Sequence, residues 1–190
     1  MVIKVRKLTW GPFTSGGDGA ACVYTGAKVD SDKIVRVDMS EDAQKQDFYA
    51  DDHRIDSDNS ISGANISIEL AKLTDDMRTA VLGYEEATND ILVTSNPAPY
   101  VGVGFIHGDV YKGTITYRAY WFFKVQFTRG NRTFNTKGES VAYQTESLEG
   151  SAVAVQLSSG GSDVFYADSG ELSTEAAAEA WLKTKAGISQ

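Results

Sequence analysis

Alternation of apolar and polar residues with a period of two runs through most of this chain, and it commits the fold to strands before any motif is considered. Ile3 and Val5 alternate with Lys4 and Arg6, Val35, Val37 and Met39 with Arg36 and Asp38, and Ile66, Ile68 and Leu70 with Asn65, Ser67 and Glu69. Such spacing sends one set of side chains to a core and the other to water, as half-buried strands require. Gly16-Gly17-Asp18-Gly19, Gly130-Asn131 and Ser158-Ser159-Gly160-Gly161-Ser162 supply turn chemistry between the runs. A Gly at the first position of a two-residue loop suits a type II′ hairpin. Another strand, Tyr100 to Phe105, follows Asn96-Pro97-Ala98-Pro99. On it Val101, Val103 and Phe105 share a face, while Gly102 and Gly104 leave the opposite face bare, which predicts that a backbone or a large side chain comes close there. The glycine spacing up to His107-Gly108 resembles a phosphate-cradling loop only superficially, because it lies in a strand pattern and leads into no helix.

The stretch 114–127, Thr-Ile-Thr-Tyr-Arg-Ala-Tyr-Trp-Phe-Phe-Lys-Val-Gln-Phe, holds six aromatics in fourteen positions. Read as a strand, it puts Tyr117, Ala119, Trp121, Phe123, Val125 and Phe127 on one continuous apolar face, which is expected to be core. The other face carries Arg118, Tyr120, Phe122 and Lys124, two aromatics between two cations. That face is too apolar for free exposure and too charged for a dry interior, so it is expected to meet a helix or another subunit. Two helices are predicted. One runs from Thr74 as N-cap through Asp75 and Asp76, where the helix dipole favours acids, to Gly83 as terminator. The second spans about 174–185, with an apolar stripe of Ala177, Ala178, Trp181 and Leu182, and is expected to dock on a sheet through Trp181.

Bulk composition removes several function classes. With 190 residues, 42% hydrophobic and 23% charged, the chain suits a single soluble domain spanning 1–190. No apolar run approaches a membrane span, and residues 1–10 lack a long apolar core, so use without the usual secretion signal is expected. The one cysteine, Cys22, allows no intramolecular disulfide and no Cys-rich zinc site. Twenty-six acids against eighteen basic residues argue against sequence-independent nucleic-acid binding, which needs clustered cations. Within residues 38–58, Asp38, Glu41, Asp42, Asp47, Asp51, Asp52, Asp56 and Asp58 face only Lys45 and Arg54. Charge this dense ordinarily marks a solvated segment, here an extended loop or hairpin at about 38–62. The sharper expectation is that it reaches a neighbouring subunit ring or lines a channel. Asp56 to Ile61 begins like a calcium loop but has Ile61 where the turn needs Gly and Ser67 where a terminal Glu would ligate. His53 and His107 stand in unrelated contexts, His107 after a strand. No nucleophile, base and orienter assemble, so neither catalysis nor a cofactor is expected.

Several blocks, taken in order, carry a family resemblance. Phe48-Tyr49-Ala50-Asp51-Asp52, Ile66 to Leu70, Met77 to Gly83, Ala98 to Phe105 and Tyr117 to Phe127 come first. Asn135 to Ser140, Tyr143-Gln144-Thr145 and Thr174 to Gly187 follow. In this series the chain resembles the major tail proteins, the tail-tube subunits of long-tailed (siphovirus-type) bacteriophages. Glu146 stands where such proteins commonly carry Pro, and the first thirty-odd residues match only loosely.

The resemblance implies a mainly β fold, two antiparallel sheets packed as a sandwich or barrel, with a flanking helix and a short C-terminal helix. It implies subunits that form hexameric rings, stacked into the tube through which the genome leaves the virion. The partners implied are other copies of the chain, the tape-measure, tail-tip and tail-terminator proteins, and phage DNA that passes without specific binding. It implies no membrane, and a place in the virion tail after assembly in the host cytoplasm. Glu41, Asp42, Asp47, Asp51, Asp52, Arg118, Tyr120, Phe122 and Lys124 are then the candidates for ring interface or lumen. An acidic lumen would let DNA slide, since like charge offers phosphates no partner. The competing reading is a monomeric β-sandwich that holds sugar against Trp121 and Tyr120.

Overall fold

The alternating runs form strands, as their spacing requires. The structure, a computed structural model, describes residues 2–30, 33–50, 53–129 and 145–188. In chain order these hold β1 (Val2–Ser15), β2 (Val23–Tyr24), β3 (Lys28–Asp30), β4 (Ile34–Ala50), β5 (His53–Leu70), α1 (Asp75–Leu82), β6 (Glu85–Ala87), β7 (Asp90–Leu92), β8 (Tyr100–Tyr111), β9 (Thr114–Arg129), β10 (Glu146–Ala152), β11 (Tyr166–Asp168) and α2 (Glu175–Ala186). The predicted turn at Gly130-Asn131 lies outside the described residues.

The chain is mainly β, as expected, and among the described residues its sandwich- or barrel-like packing is achieved by one antiparallel sheet of nine strands beside a small β6–β7 hairpin. Along the main path the order is β2-β1-β8-β9-β10-β5-β4, with β3 on β1 and β11 on β9. The sheet coils until β4 lies against β1. Within the coil Leu8, Trp10, Ile66, Ile68, Leu70, Val101, Val103, Phe105, Phe127 and Leu148 bury one core, and α1 caps it with Met77, Val81 and Leu82. Each such side chain contributes about 1.5–3 kcal/mol by leaving water. Arg78 of α1 donates to Glu146 at 3.1 Å, and the Arg129 guanidinium lies 5.2 Å from the Tyr84 ring centre, tying α1 to β9 and β10.

A second core lies on the outer face of the sheet, under α2. There Ile106, Ala119, Trp121 and Phe123 pack against Ala178, Leu182 and Ala186. The helix is seated by Ala178, Leu182 and Ala186, four residues apart on one stripe. Trp181, the expected anchor, is only half-buried and carries the Lys185 ammonium 5.4 Å above its ring. Small residues on the stripe let the helix axis come close, and the larger Trp181 is displaced to the flank. Thr174 accepts from the Ala177 amide at 3.2 Å, and Gly187 closes the helix in the left-handed conformation. Arg6 with Glu175 at 3.0 Å and Lys7 with Glu179 at 3.5 Å hold the helix to β1. In α1 the C-cap Gly83 is as predicted, but the Thr74 side chain makes no capping hydrogen bond.

The bare face of β8 is filled as its glycines predict. A Cβ at Gly102 would fall 2.6 Å from Trp121 and 2.3 Å from Tyr24, and one at Gly104 would fall 2.5 Å from the Tyr120 carbonyl oxygen. The Trp121 indole therefore lies flat on β8, donating at 3.1 Å to the Tyr24 hydroxyl, which in turn donates to the Phe123 carbonyl at 2.8 Å. His107 sits inside β8, opposite Val5 and Arg118, because that strand runs on to Tyr111 rather than stopping at Phe105.

The continuous apolar face predicted for 117–127 does not exist. Val101 pairs with Val125 but Val103 pairs with Phe122, so two residues, Phe123 and Lys124, stand opposite Gly102 alone. This β-bulge exchanges the faces of β9. Before it, Ala119 and Trp121 face outward to α2 while Tyr120 and Phe122 face the inner core; beyond it, Val125 and Phe127 face inward. The helix accordingly meets the Trp121 face and not, as expected, the Tyr120 face. A similar shift between Ile34 and Arg36 turns Val35 out to 53% exposure and puts Ile34 and Val37 against the core, breaking the expected series Val35, Val37, Met39.

Candidate assembly surface

The acidic segment at 38–62 is part of a long hairpin. β10 pairs with β5 only from Ala64 to Leu70, whereas β4 and β5 continue to pair with each other from Ala43 and Ile61 out to Ala50 and His53. Among the described residues this outer part has no third strand, so it is a two-stranded arm roughly 25 Å long at about 3.3 Å per residue. Asp47 lies on it, in register with Ser57. Asp51 and Asp52 lie outside the described residues. A second bulge, between Asp42 and Ala43, marks the root of the arm. Here Asn65 donates to the Asp42 carboxylate at 2.8 Å and Ser62 to the Asp42 carbonyl at 3.0 Å.

Glu41 and Asp42 point to opposite sides of β4. Glu41 turns to the open seam of the coiled sheet, a cleft lined by Met39, Ala64, Phe122 and Tyr166, and accepts a hydrogen bond from the Tyr166 hydroxyl. That bond, with partial burial behind it, pushes the phenol up to about 12. Asp42 belongs to the other side, where Asp38, Asn65, Ser67, Glu149 and Gln126, together with the apolar Met39 and Val153, line a shallow trough across β4, β5, β10 and β9. Arg36, paired with Asp38 at 2.8 Å, supplies its cation.

The four candidates on β9 do not share one surface. Phe122 is fully buried, and Tyr120 is half-buried and stacked on Phe105 at 5.4 Å between ring centres. Burial pushes the Tyr120 phenol up, with the Asp168 charge adding to it. Arg118 pairs with Asp168 at 2.9 Å and approaches Glu171 at 3.8 Å. Lys124, displaced by the bulge, emerges on the outer face with its ammonium 4.9 Å from the Phe13 ring centre and 4.8 Å from that of Tyr100. Nothing in the sequence marks Tyr166 and Asp168 as partners here, because β11 is three residues long and too short to show a period.

Among the described residues no group of three or more His, Cys, Asp or Glu is placed to hold a metal ion. Cys22 is a half-buried free thiol, pushed up chiefly by burial. Trp121 is fully buried beneath α2 and Tyr24, so no sugar or base can stack on it. Comparison with known families finds no model that matches the chain, and no curated protein matches it in sequence.

Proposed function

We propose that this chain is a non-catalytic structural subunit of a bacteriophage tail tube, self-assembling into stacked hexameric rings that form a conduit for the genome. The observation that carries the reading is the β4–β5 arm, which continues beyond the last residue of β5 paired with β10 and has no third described strand beside it. An isolated two-stranded ribbon is marginally stable in water, so an arm of this length is suited to a neighbouring molecule. The outer edge of β4 also pairs with no described strand. Exposed edges invite uncontrolled pairing, and closure of the sheet into a ring of subunits removes them. The proposed lumen face is the trough across β4, β5, β10 and β9, where the carboxylates of Asp38, Asp42 and Glu149 would keep DNA from sticking.

On this reading the partners are other copies of the chain, then tape-measure, tail-tip and tail-terminator proteins, with DNA in transit. The protein acts in the virion tail. Burial of Trp121 disfavours the sugar-binding alternative. Negative-stain electron microscopy with light scattering, at low and high concentration and over days, tests the proposal. Rings or hollow tubes are expected; a monomer at every concentration and age, unchanged by removal of the arm, would overturn it.

A further inference from the structure

We propose that the Tyr111–Lys112 apex of the β8–β9 hairpin docks on the β6–β7 hairpin of a second copy of this chain, with the Tyr111 ring on Leu92 and the Lys112 ammonium between Glu85 and Asp90. The inference rests on the self-assembly reading above and names a contact by which one copy follows the next. Lys112 and Gly113 both have positive φ, 49° and 83°, so a two-residue turn of type I′ joins β8 to β9. That turn presents Tyr111 with 72% of its surface exposed and holds the Lys112 ammonium 5.3 Å from the ring centre. Among the described residues Lys112 meets no carboxylate. A ring and an unmatched cation thus stand together at the tip of a ribbon, a pairing suited to an apolar side chain flanked by acids.

Such a surface lies on the β6–β7 hairpin. Among the described strands β6 and β7 pair only with each other, Glu85 opposite Leu92 and Ala87 opposite Asp90. Opposed residues share a face, as do residues two apart along a strand, so Leu92, 48% exposed, stands on one face with Glu85 and Asp90. Neither acid meets a cation among the described residues, whereas Asp75 and Glu146 are matched to Arg78, and Asp76 to Lys28. A ribbon this short is marginally stable alone, and a neighbour seated on its apolar face would steady it. The hairpin is rooted at the far end of β8 from the turn: Tyr84 lies against Arg129, and Thr94 donates at 3.3 Å to the carbonyl of Gly83, which packs beside Pro99. From there the apex is twelve residues of β8 away, roughly 40 Å at about 3.3 Å per residue. Each strand of the hairpin has three residues and spans only roughly 10 Å. The apex therefore cannot meet the hairpin of its own chain, but a copy displaced along the strand direction brings the two together. Because the two patches differ, the contact is heterologous and repeats from copy to copy.

Exchange of the charges tests the contact. K112E, E85K/D90K and the combined K112E/E85K/D90K chain are each checked for wild-type melting, then assayed beside wild type by light scattering and electron microscopy. K112E and E85K/D90K are each expected to assemble at least about tenfold more slowly, because like charges then face one another. The combined chain, in which both signs are exchanged, should recover. K112N removes the charge with a residue that tolerates the left-handed conformation; it should fall between K112E and wild type, and it serves if K112E does not fold. Assembly of K112E and K112N at the wild-type rate would overturn the contact while leaving the tube reading intact. Slowed K112E and E85K/D90K chains that the combined exchange does not relieve would overturn the pairing of Lys112 with Glu85 and Asp90. A wild-type protein that never assembles removes the tube reading and this inference together.

Discussion

Trp121 occupies space that β8 leaves by carrying glycine at two alternate positions, and much of the outer core depends on that exchange. A methyl group at Gly104 would sit 2.6 Å from the indole and 2.7 Å from Leu182, with the Tyr120 carbonyl oxygen behind it at 2.5 Å. Backbone cannot yield as a flexible side chain can, so Gly104→Ala is expected to destabilise by about 1–3 kcal/mol, read from the midpoint of urea unfolding. The Tyr24 hydroxyl is the polar counterpart, since it satisfies both the indole N–H and the Phe123 carbonyl. Burial chiefly pushes its own ionisation well above the ordinary range. Tyr24→Phe leaves the Trp121 donor without its partner and is expected to cost about 1–3 kcal/mol in the same assay, with a change in tryptophan fluorescence.

At the level of elements, the root of the arm is fastened by the Tyr166–Glu41 bond between β11 and β4. The Tyr166 phenol is raised from 10.0 to about 12, so the stabilisation is fully present below 10 and is lost as pH rises through about 12. An ultraviolet titration should show one late-ionising tyrosine that Tyr166→Phe removes, with faster amide exchange in β4 near Glu41. Asp30 sets a contrasting acidic limit. Burial alone would raise it, but hydrogen bonds from Lys33 and Trp10 win and hold it below its ordinary 3.8. Its contribution is present above that value and disappears as pH falls through the lowered one, so β3 should loosen only below the ordinary carboxylate range, seen as a shift in Trp10 emission. These fastenings were not legible in the sequence, and the reason is physical. Alternation revealed the Asn65–Leu70 part of β5, the Ile3–Lys7 part of β1 and the Tyr100–Phe105 part of β8, caps and stripes revealed both helices, and Gly102 with Gly104 announced a close neighbour on that face. A bulge leaves no such mark, because the residue that becomes extra is decided by the partner strand. Phe123 and Lys124 read as ordinary members of an alternating run, and Val35 likewise. The arm was legible as an acidic loop or hairpin, but its composition left open which of the two it is.

For the whole molecule, the arm and the body are separable. Replacing residues 44–59 by Asn-Gly, a pair suited to a two-residue hairpin, removes none of the buried core residues named above. That variant is expected to stay folded, with unfolding free energy within about 1 kcal/mol of wild type, and, on the proposed tail-tube reading, to form no tubes in electron micrographs. The two cores, by contrast, are not separable. Neighbouring residues of one strand, Trp121 and Phe122, are fully buried on opposite faces, one beneath α2 and the other inside the coil. Loss of order on either side must distort the same few peptide units that organise the other. Heat should therefore produce a single calorimetric transition, with no partly melted species in which α2 has detached and the coil survives. A wall built of such units would yield all at once or not at all, a property that would suit the proposed conduit, through which a long, stiff polymer would pass without stripping its outer layer.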